Sequence, residues 1–192
     1  GKEWIGIRSG KMSKSLGNVV TPDEVVDVYG ADCLRGYELF MAPMNGTLPW
    51  NENGLNGILR FYKRVWDLVT GMPVTATTRK CLPLSERQAM VKKIIHKAIK
   101  KCTTDLEDLR FNTMIANGLM EPVNSLLAVW SADIATTSEG KEALDTLIRL
   151  IAPTAPHLAE ELWERIGHKQ SVTAATWPTY DEALTVDETI TL

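Results

Sequence analysis

Three histidines and three cysteines in 192 residues leave little room for metal or thiol chemistry. Cys33, Cys81 and Cys102 are odd in number and far apart, with no C-x-x-C pair, so neither a disulfide framework nor a zinc site is suggested, and a reducing, cytoplasmic setting is expected. Long apolar runs are missing too. Stretches such as Leu126 to Trp130 fall well short of the roughly 20 residues a spanning helix needs, and no signal-peptide pattern is visible. There is no excess of positive charge: 21 Lys and Arg stand against 24 Asp and Glu, a formal charge of −3. A nucleic-acid binder working by bulk electrostatics is normally basic, so any RNA contact must be local. No repeats or low-complexity tracts occur, and 44% apolar with 23% charged residues describes a globular chain of one or two domains.

What is present is concentrated near the start. Lys11-Met12-Ser13-Lys14-Ser15 runs into Leu16-Gly17-Asn18 and is preceded by Gly10. Two compact ammonium groups, two hydroxyls and flanking glycines suit a loop that closes on polyphosphate. Taken alone, such a short match is a basic surface turn. Trp4 to Ile7 reads as a short extended piece before it. Thr21, Pro22 and Glu24 then predict a capped helix with Val25, Val26 and Val28 as its apolar members and Gly30 as its stop, followed by a helix from Ala31 to about Met41 that ends ahead of Pro43.

From Asn51 the pattern lengthens. Ile58, Phe61, Tyr62, Val65, Leu68 and Val69 recur at helical spacing up to Gly71, and residues 72–84 read as a linker. Ser85 and Gln88 form an expected capping box for a helix whose buried face is Val91, Ile94, Ile95, Ala98, Ile99, Cys102, Leu106 and Leu109. Asn112 is expected to cap a helix reaching about Trp130. Pro122 lies within it and should kink it near Gly118. Helices from about Glu139 to Ala152 and Thr154 to Ile166, stopped by Gly167, complete a bundle.

The pentapeptide with Leu16-Gly17-Asn18, then Thr21-Pro22-Asp23-Glu24 and Tyr29-Gly30-Ala31-Asp32-Cys33-Leu34-Arg35, resembles the adenylate-forming core of class I aminoacyl-tRNA synthetases. Leu39 to Pro43, Pro49-Trp50, Gly54, Gly57, and Arg60-Phe61 through Trp66 look like the leucyl members. Leu109 to Thr113 and Ala152 to His157 with Glu161-Leu162-Trp163 are similar to their helical tRNA-binding domain. The resemblance implies a mainly α chain. Residues 1–48 would be the phosphate loop and stem-contact segment of a catalytic core, and 49–192 a helical bundle of the anticodon-binding type.

It further implies a leucine-tRNA ligase using ATP with Mg2+, leucine and tRNA-Leu, monomeric and cytoplasmic. Lys14 would be the main catalytic residue and Lys11 its partner on the departing pyrophosphate. Ser13 and Ser15 would hold the loop, Met12 would anchor it on apolar surface, and Gly17 and Asn18 would shape its exit. Without ATP the loop is expected to be open and disordered. Leu16 departs from the lysine common at that place in leucyl enzymes. The H-I-G-H motif and parallel sheet of the class are absent from these residues, so the chain alone is expected to be inactive, a portion of a larger enzyme whose tail from Thr173 leads toward a further domain. A valyl, isoleucyl or methionyl relative, or a non-catalytic tRNA-binding paralogue, stays open as an alternative.

Arg60, Lys63 and Arg64 form the better candidate surface for tRNA, although Asp67 stands where it would pair with Lys63 and Arg64. Lys93, Lys97 and Lys100 line the polar side of their helix, either tracking phosphates or facing water. Trp50 and Trp66 are expected in the core rather than as stacking platforms. His157 reads as structural. Gly36, in mid-helix, should cost roughly 1 kcal/mol relative to alanine.

Overall fold

The computed structural model describes residues 10–43, 46, 50–71 and 82–186, and helices dominate it with no strand among those residues. The expected extended piece at Trp4 to Ile7, Pro49 and residues 72–81 of the linker lie outside the described residues.

Helix α1 spans Pro22–Tyr29 and α2 Ala31–Met41, and Gly30 at φ 85° breaks the chain between them. Proline at the first position presets φ, and Asp23 and Glu24 favour the positive end of α1. Thr21 occupies the N-cap position, but its side chain accepts no cap hydrogen bond, so the expected capping box does not form. Only Val25 of the three valines is buried. Val28 is 73% exposed; among the described residues α1 packs mainly on α2.

Helix α3, Glu52–Thr70, starts at Asn51, whose Oδ1 accepts the Asn53 N–H at 2.9 Å, and ends at Gly71 with φ 71°. Leu55, Ile58, Phe61, Tyr62, Val65 and Leu68 line its buried face. Burying each such side chain stabilises by roughly 2 kcal/mol. Gly36 of α2 lies against this face: a Cβ there would sit 2.3 Å from Tyr62 Oη. The glycine that looked like a local weakness is what lets α2 and α3 approach.

Helix α4, Leu84–Glu107, is the centre of the bundle and packs on α6, α8 and the segment between α5 and α6. It begins one residue before Ser85. The expected Ser85 and Gln88 cap is therefore absent, and Gln88 donates instead to Glu139 at 2.9 Å. The start is pinned by buried Arg87, which donates to Leu82 O, to Ser131 and to both oxygens of Asp133. Val91, Ile95, Ala98, Ile99 and Cys102 are buried as expected, Ile94 and Leu106 only partly. Leu109 is 58% exposed at φ 56°.

The face ends on Asp105 instead. This fully buried carboxylate accepts from Lys101, Arg110 and Thr113, and so braces the sharp corner that carries Leu109.

After the corner come α5, Phe111–Thr113, then a π-helical stretch, Met114–Met120, then α6, Glu121–Val129. Arg110, not Asn112, holds the cap position; Asn112 is inside the helix. Pro122 has no N–H for the Gly118 carbonyl four residues back, where the sequence leads one to expect a kink. The chain widens its turn there: Glu121 N–H donates to Ala116 O, five residues back, and the Cys102 thiol donates to Gly118 O at 3.3 Å. Burial, with Asp105 nearby, pushes the Cys102 thiol up to about 12, so it stays a donor.

A short helix α7, Ala132–Thr136, not anticipated, leads to α8, Ser138–Ile151, and α9, Pro156–Arg165, which Gly167 closes at φ 106°. The chain then returns over α4. Trp177 Nε1 donates to Thr103 Oγ1 at 2.9 Å, Asp181 N–H to His96 Nδ1 at 2.8 Å, and Lys100 pairs with Glu182.

Candidate functional site

The Lys11 to Ser15 loop is a single compact turn. Residues Lys14–Leu16 form one 3-10 turn, closed by Leu16 N–H to Ser13 O at 3.0 Å and Gly17 N–H to Lys14 O at 3.2 Å. Gly17 takes φ 62°, which an L side chain resists, and turns the chain toward α1. Asn18 clamps the turn from behind: its Oδ1 accepts the Ser13 N–H at 2.8 Å and its Nδ2 donates to Lys11 O at 3.4 Å. Ser13 and Ser15 hydroxyls bond each other at 2.7 Å.

Ser13 thus bonds both Ser15 and Asn18 within the turn, and Gly17 sets its exit. Lys11 and Lys14 are exposed. Met12 is 40% exposed. The donor set is two ammoniums and two hydroxyls, which suits phosphate oxygens. No carboxylate in the turn could hold a cation, and among the described residues no His, Cys, Asp and Glu group is arranged for a metal ion.

On α3, Arg60, Lys63 and Arg64 all face outward. Arg60 Nε donates to Asn56 O at 3.2 Å, and Arg64 Nη1 to Asn124 Oδ1 of α6 at 2.8 Å. Among the described residues no ion pair joins Asp67 to Lys63 or Arg64. The second lysine set fares differently. Lys100 is engaged by Glu182, by Thr185 Oγ1 at 3.3 Å and by the Tyr180 ring, so the returning chain covers this end of the α4 lysine row.

Trp50 and Trp66 pack on the core, Trp50 edge-on to Tyr37 at 5.0 Å and Trp66 beneath the Arg165 guanidinium at 4.7 Å. A cleft of 830 Å3 beside α9 presents Glu160, Glu161 and Glu164 together with His168, which stacks on Trp163 and bonds Asp145. Its carboxylates oppose phosphate binding.

His157 gains a partner that its neighbours in sequence do not supply. Its Nδ1 donates to Asp32 Oδ1 at 2.8 Å, and the next residue, Leu158, donates its backbone N–H to Asp32 Oδ2 at 2.8 Å. Arg35 Nη1 completes the set at 2.8 Å. Local spacing hides Asp32 because its partners lie 125 and 126 residues away. The one available signal is that α9 begins Ala155-Pro156, with no side chain able to cap it.

Two family models match: one described as tRNA synthetases class I (I, L, M and V) over residues 7–51, and one described as the anticodon-binding domain of tRNA ligase over 90–192. The leucine-tRNA ligase of Herpetosiphon aurantiacus is 45% identical over 188 residues, which is 98% of this chain and 22% of that protein. Those of Chlorobium phaeobacteroides and Dehalococcoides mccartyi are 42% and 44% identical, over 98% and 95% of this chain. The chain spans 22% of the length of these relatives.

Among solved structures, the ternary complex of Agrobacterium radiobacter K84 agnB2 LeuRS with tRNA and LeuAMS superposes with a TM-score of 0.75 at 34% identity, covering 92% of this chain and 23% of that one. With the anticodon-binding model covering more than half of its residues and leucine-tRNA ligases aligning along nearly all of them, the chain belongs to the tRNA ligases of class I, in their leucine-tRNA ligase family.

Proposed function

We propose that this chain is the part of a leucine-tRNA ligase that stabilises pyrophosphate during leucyl-adenylate formation and docks tRNA-Leu, with a boundary between the two roles near residue 48. The observation that carries the first role is the turn itself. Lys11 and Lys14 project from a loop whose shape is held by Ser13, Ser15, Gly17 and Asn18, leaving both ammoniums exposed. As leucine attacks the α-phosphate of ATP, negative charge accumulates on the departing β and γ phosphates. Lys14 meets that charge directly and Lys11 supports it. Mg2+ would arrive with the nucleotide, since the turn offers it no carboxylate. The bundle presents Arg60, Lys63 and Arg64 as a local basic surface on a chain that is acidic overall, which suits contact with a limited stretch of phosphate backbone.

A well-aimed charge in the transition state is worth about 3 kcal/mol, so Lys14→Ala in the full-length ligase should slow ATP-pyrophosphate exchange on the order of a hundredfold, and Lys11→Ala less. Exchange unchanged in Lys14→Ala would overturn the catalytic assignment. Titration with tRNA-Leu and an unrelated tRNA at low and physiological salt tests the docking role. The Arg60, Lys63 and Arg64 triple alanine variant should bind tRNA-Leu more weakly with a shallower salt slope; equal affinity would refute that surface.

A further inference from the structure

Among the described residues the main packing of α1, which follows the loop, is on α2, so fixing the start of α2 helps to fix the place of the loop. Asp32 is at that start, one residue into α2, with a side chain only 12% exposed. Both of its oxygens are engaged: Oδ1 accepts from Arg35 Nη1 within α2 and from His157 Nδ1 of α9, and Oδ2 accepts from the Leu158 N–H, each at 2.8 Å. Leu158 is the third residue of α9, so its N–H is one of the donors that a helix start leaves without an internal partner.

Ala155, at the cap position of α9, makes no side-chain cap hydrogen bond, and Pro156 contributes no N–H. The carboxylate of Asp32 therefore caps α9 from a different helix. It also places a negative charge at the positive end of the α9 dipole. A tie between two helices through both oxygens of a shielded carboxylate resists sliding as well as rotation, which a purely apolar contact between α2 and α9 would not.

We propose that Asp32 is a positioning residue for adenylation: it ties α2 to the N-terminal end of α9 and so holds the Lys11 to Ser15 turn in register with the bundle. This rests on the adenylation role proposed above. Asp32 touches no phosphate. Its effect travels through the placement of Lys14, and a displacement of about 1 Å at a reacting group can cost on the order of a hundredfold in rate.

The test uses the full-length ligase, with active sites titrated so that rates refer to folded enzyme. Three variants are compared: Asp32→Ala, Asp32→Asn and Lys14→Ala. Asn keeps an acceptor for the Leu158 N–H and caps helices about as well as Asp, so D32N preserves the fold while removing the charge that holds His157 and Arg35. D32A is expected to lose about tenfold or more in kcat/KM for ATP in pyrophosphate exchange, with KM for leucine unchanged, and D32N to fall between it and the parent.

A fall in melting temperature for D32A with unaltered exchange per active site would reduce Asp32 to a structural cap and overturn the proposal. A KM for leucine raised as much as the KM for ATP would overturn it as well, since that indicates general damage. If the parent enzyme itself shows no exchange, or Lys14→Ala exchanges as well as the parent, it is the adenylation role that fails, an outcome distinct from either result with Asp32.

Discussion

Replacing Gly36 by alanine sets two effects of known sign against each other. Glycine inside a helix costs about 1 kcal/mol relative to alanine, so on propensity alone the substitution stabilises α2. The structure predicts the reverse. The new Cβ would stand 2.3 Å from Tyr62 Oη and 3.1 Å from both Tyr62 Cζ and Ile58 Cγ2, so the phenol must retreat by about 1 Å to reach ordinary separation. Tyr62 is 7% exposed and its hydroxyl donates to Thr154 O at 3.4 Å, so the ring has core behind it and a contact to lose.

Overpacking of this kind costs about 1–3 kcal/mol, and a lost hydrogen bond about 1 kcal/mol. The net expectation for Gly36→Ala is a loss of about 1–3 kcal/mol, read by urea titration and as a melting temperature lowered by about 2–4 °C per kcal/mol. In a Tyr62→Phe background the nearest clash is gone, and the same substitution should be close to neutral. A double-mutant cycle therefore returns a coupling of about 1–3 kcal/mol. A higher melting temperature for Gly36→Ala alone would mean that α2 and α3 do not approach this closely.

Two other substitutions probe the bundle. Asp133 is held well below the usual carboxylate range, first by hydrogen bonds from Arg87 and then by Ser131. A depressed carboxylate adds stability that is present above its unfolded value and is lost as pH falls toward the lowered native one. Asp133→Asn should therefore melt below the parent at pH 7, with the gap closing as pH drops beneath about 4; a gap independent of pH would show that the Arg87 pair carries no linkage. At the π-helical stretch, Cys102→Ala strips the Gly118 carbonyl of its thiol donor and should cost about 1–3 kcal/mol, and Pro122→Ala, which restores an N–H four residues on, should reduce that cost. Equal costs of Cys102→Ala in both backgrounds, measured by denaturation, would refute the shared carbonyl.

The helices were legible wherever burial imposes a period. The face of α3 from Ile58 to Leu68 and its stop at Gly71 are written at helical spacing, because one apolar stripe against one neighbour leaves that spacing no freedom. Capping was less legible. Ser85 with Gln88, and Asn112, carry the right residue types, yet α4 begins a residue earlier and α5 has Arg110 at its cap position, because Arg87 and Asp105 anchor those ends from the tertiary structure. Pro122 announced a disturbance near Gly118 but not its form. That form is a π turn, in which Cys102 of α4 offers a donor for the stranded carbonyl.

The same distinction separates the two halves of the site. A turn of eight residues such as Lys11 to Asn18 closes on itself, so its glycine, its hydroxyls and its amide are all neighbours in sequence and can be recognised there. What fixes that turn against the bundle is a contact between residues 32 and 157–158, whose only trace in the local sequence is a helix that starts at Ala155-Pro156 with nothing to cap it. A helix start with no cap of its own implies that an acceptor comes from elsewhere, since buried backbone donors rarely go unpaired. Asp32 fits that requirement because the break at Gly30 lets α2 begin with its first turn aimed at α9. The missing cap is thus the sequence counterpart of the interhelical tie, and it would have located the acceptor's partner before the acceptor itself.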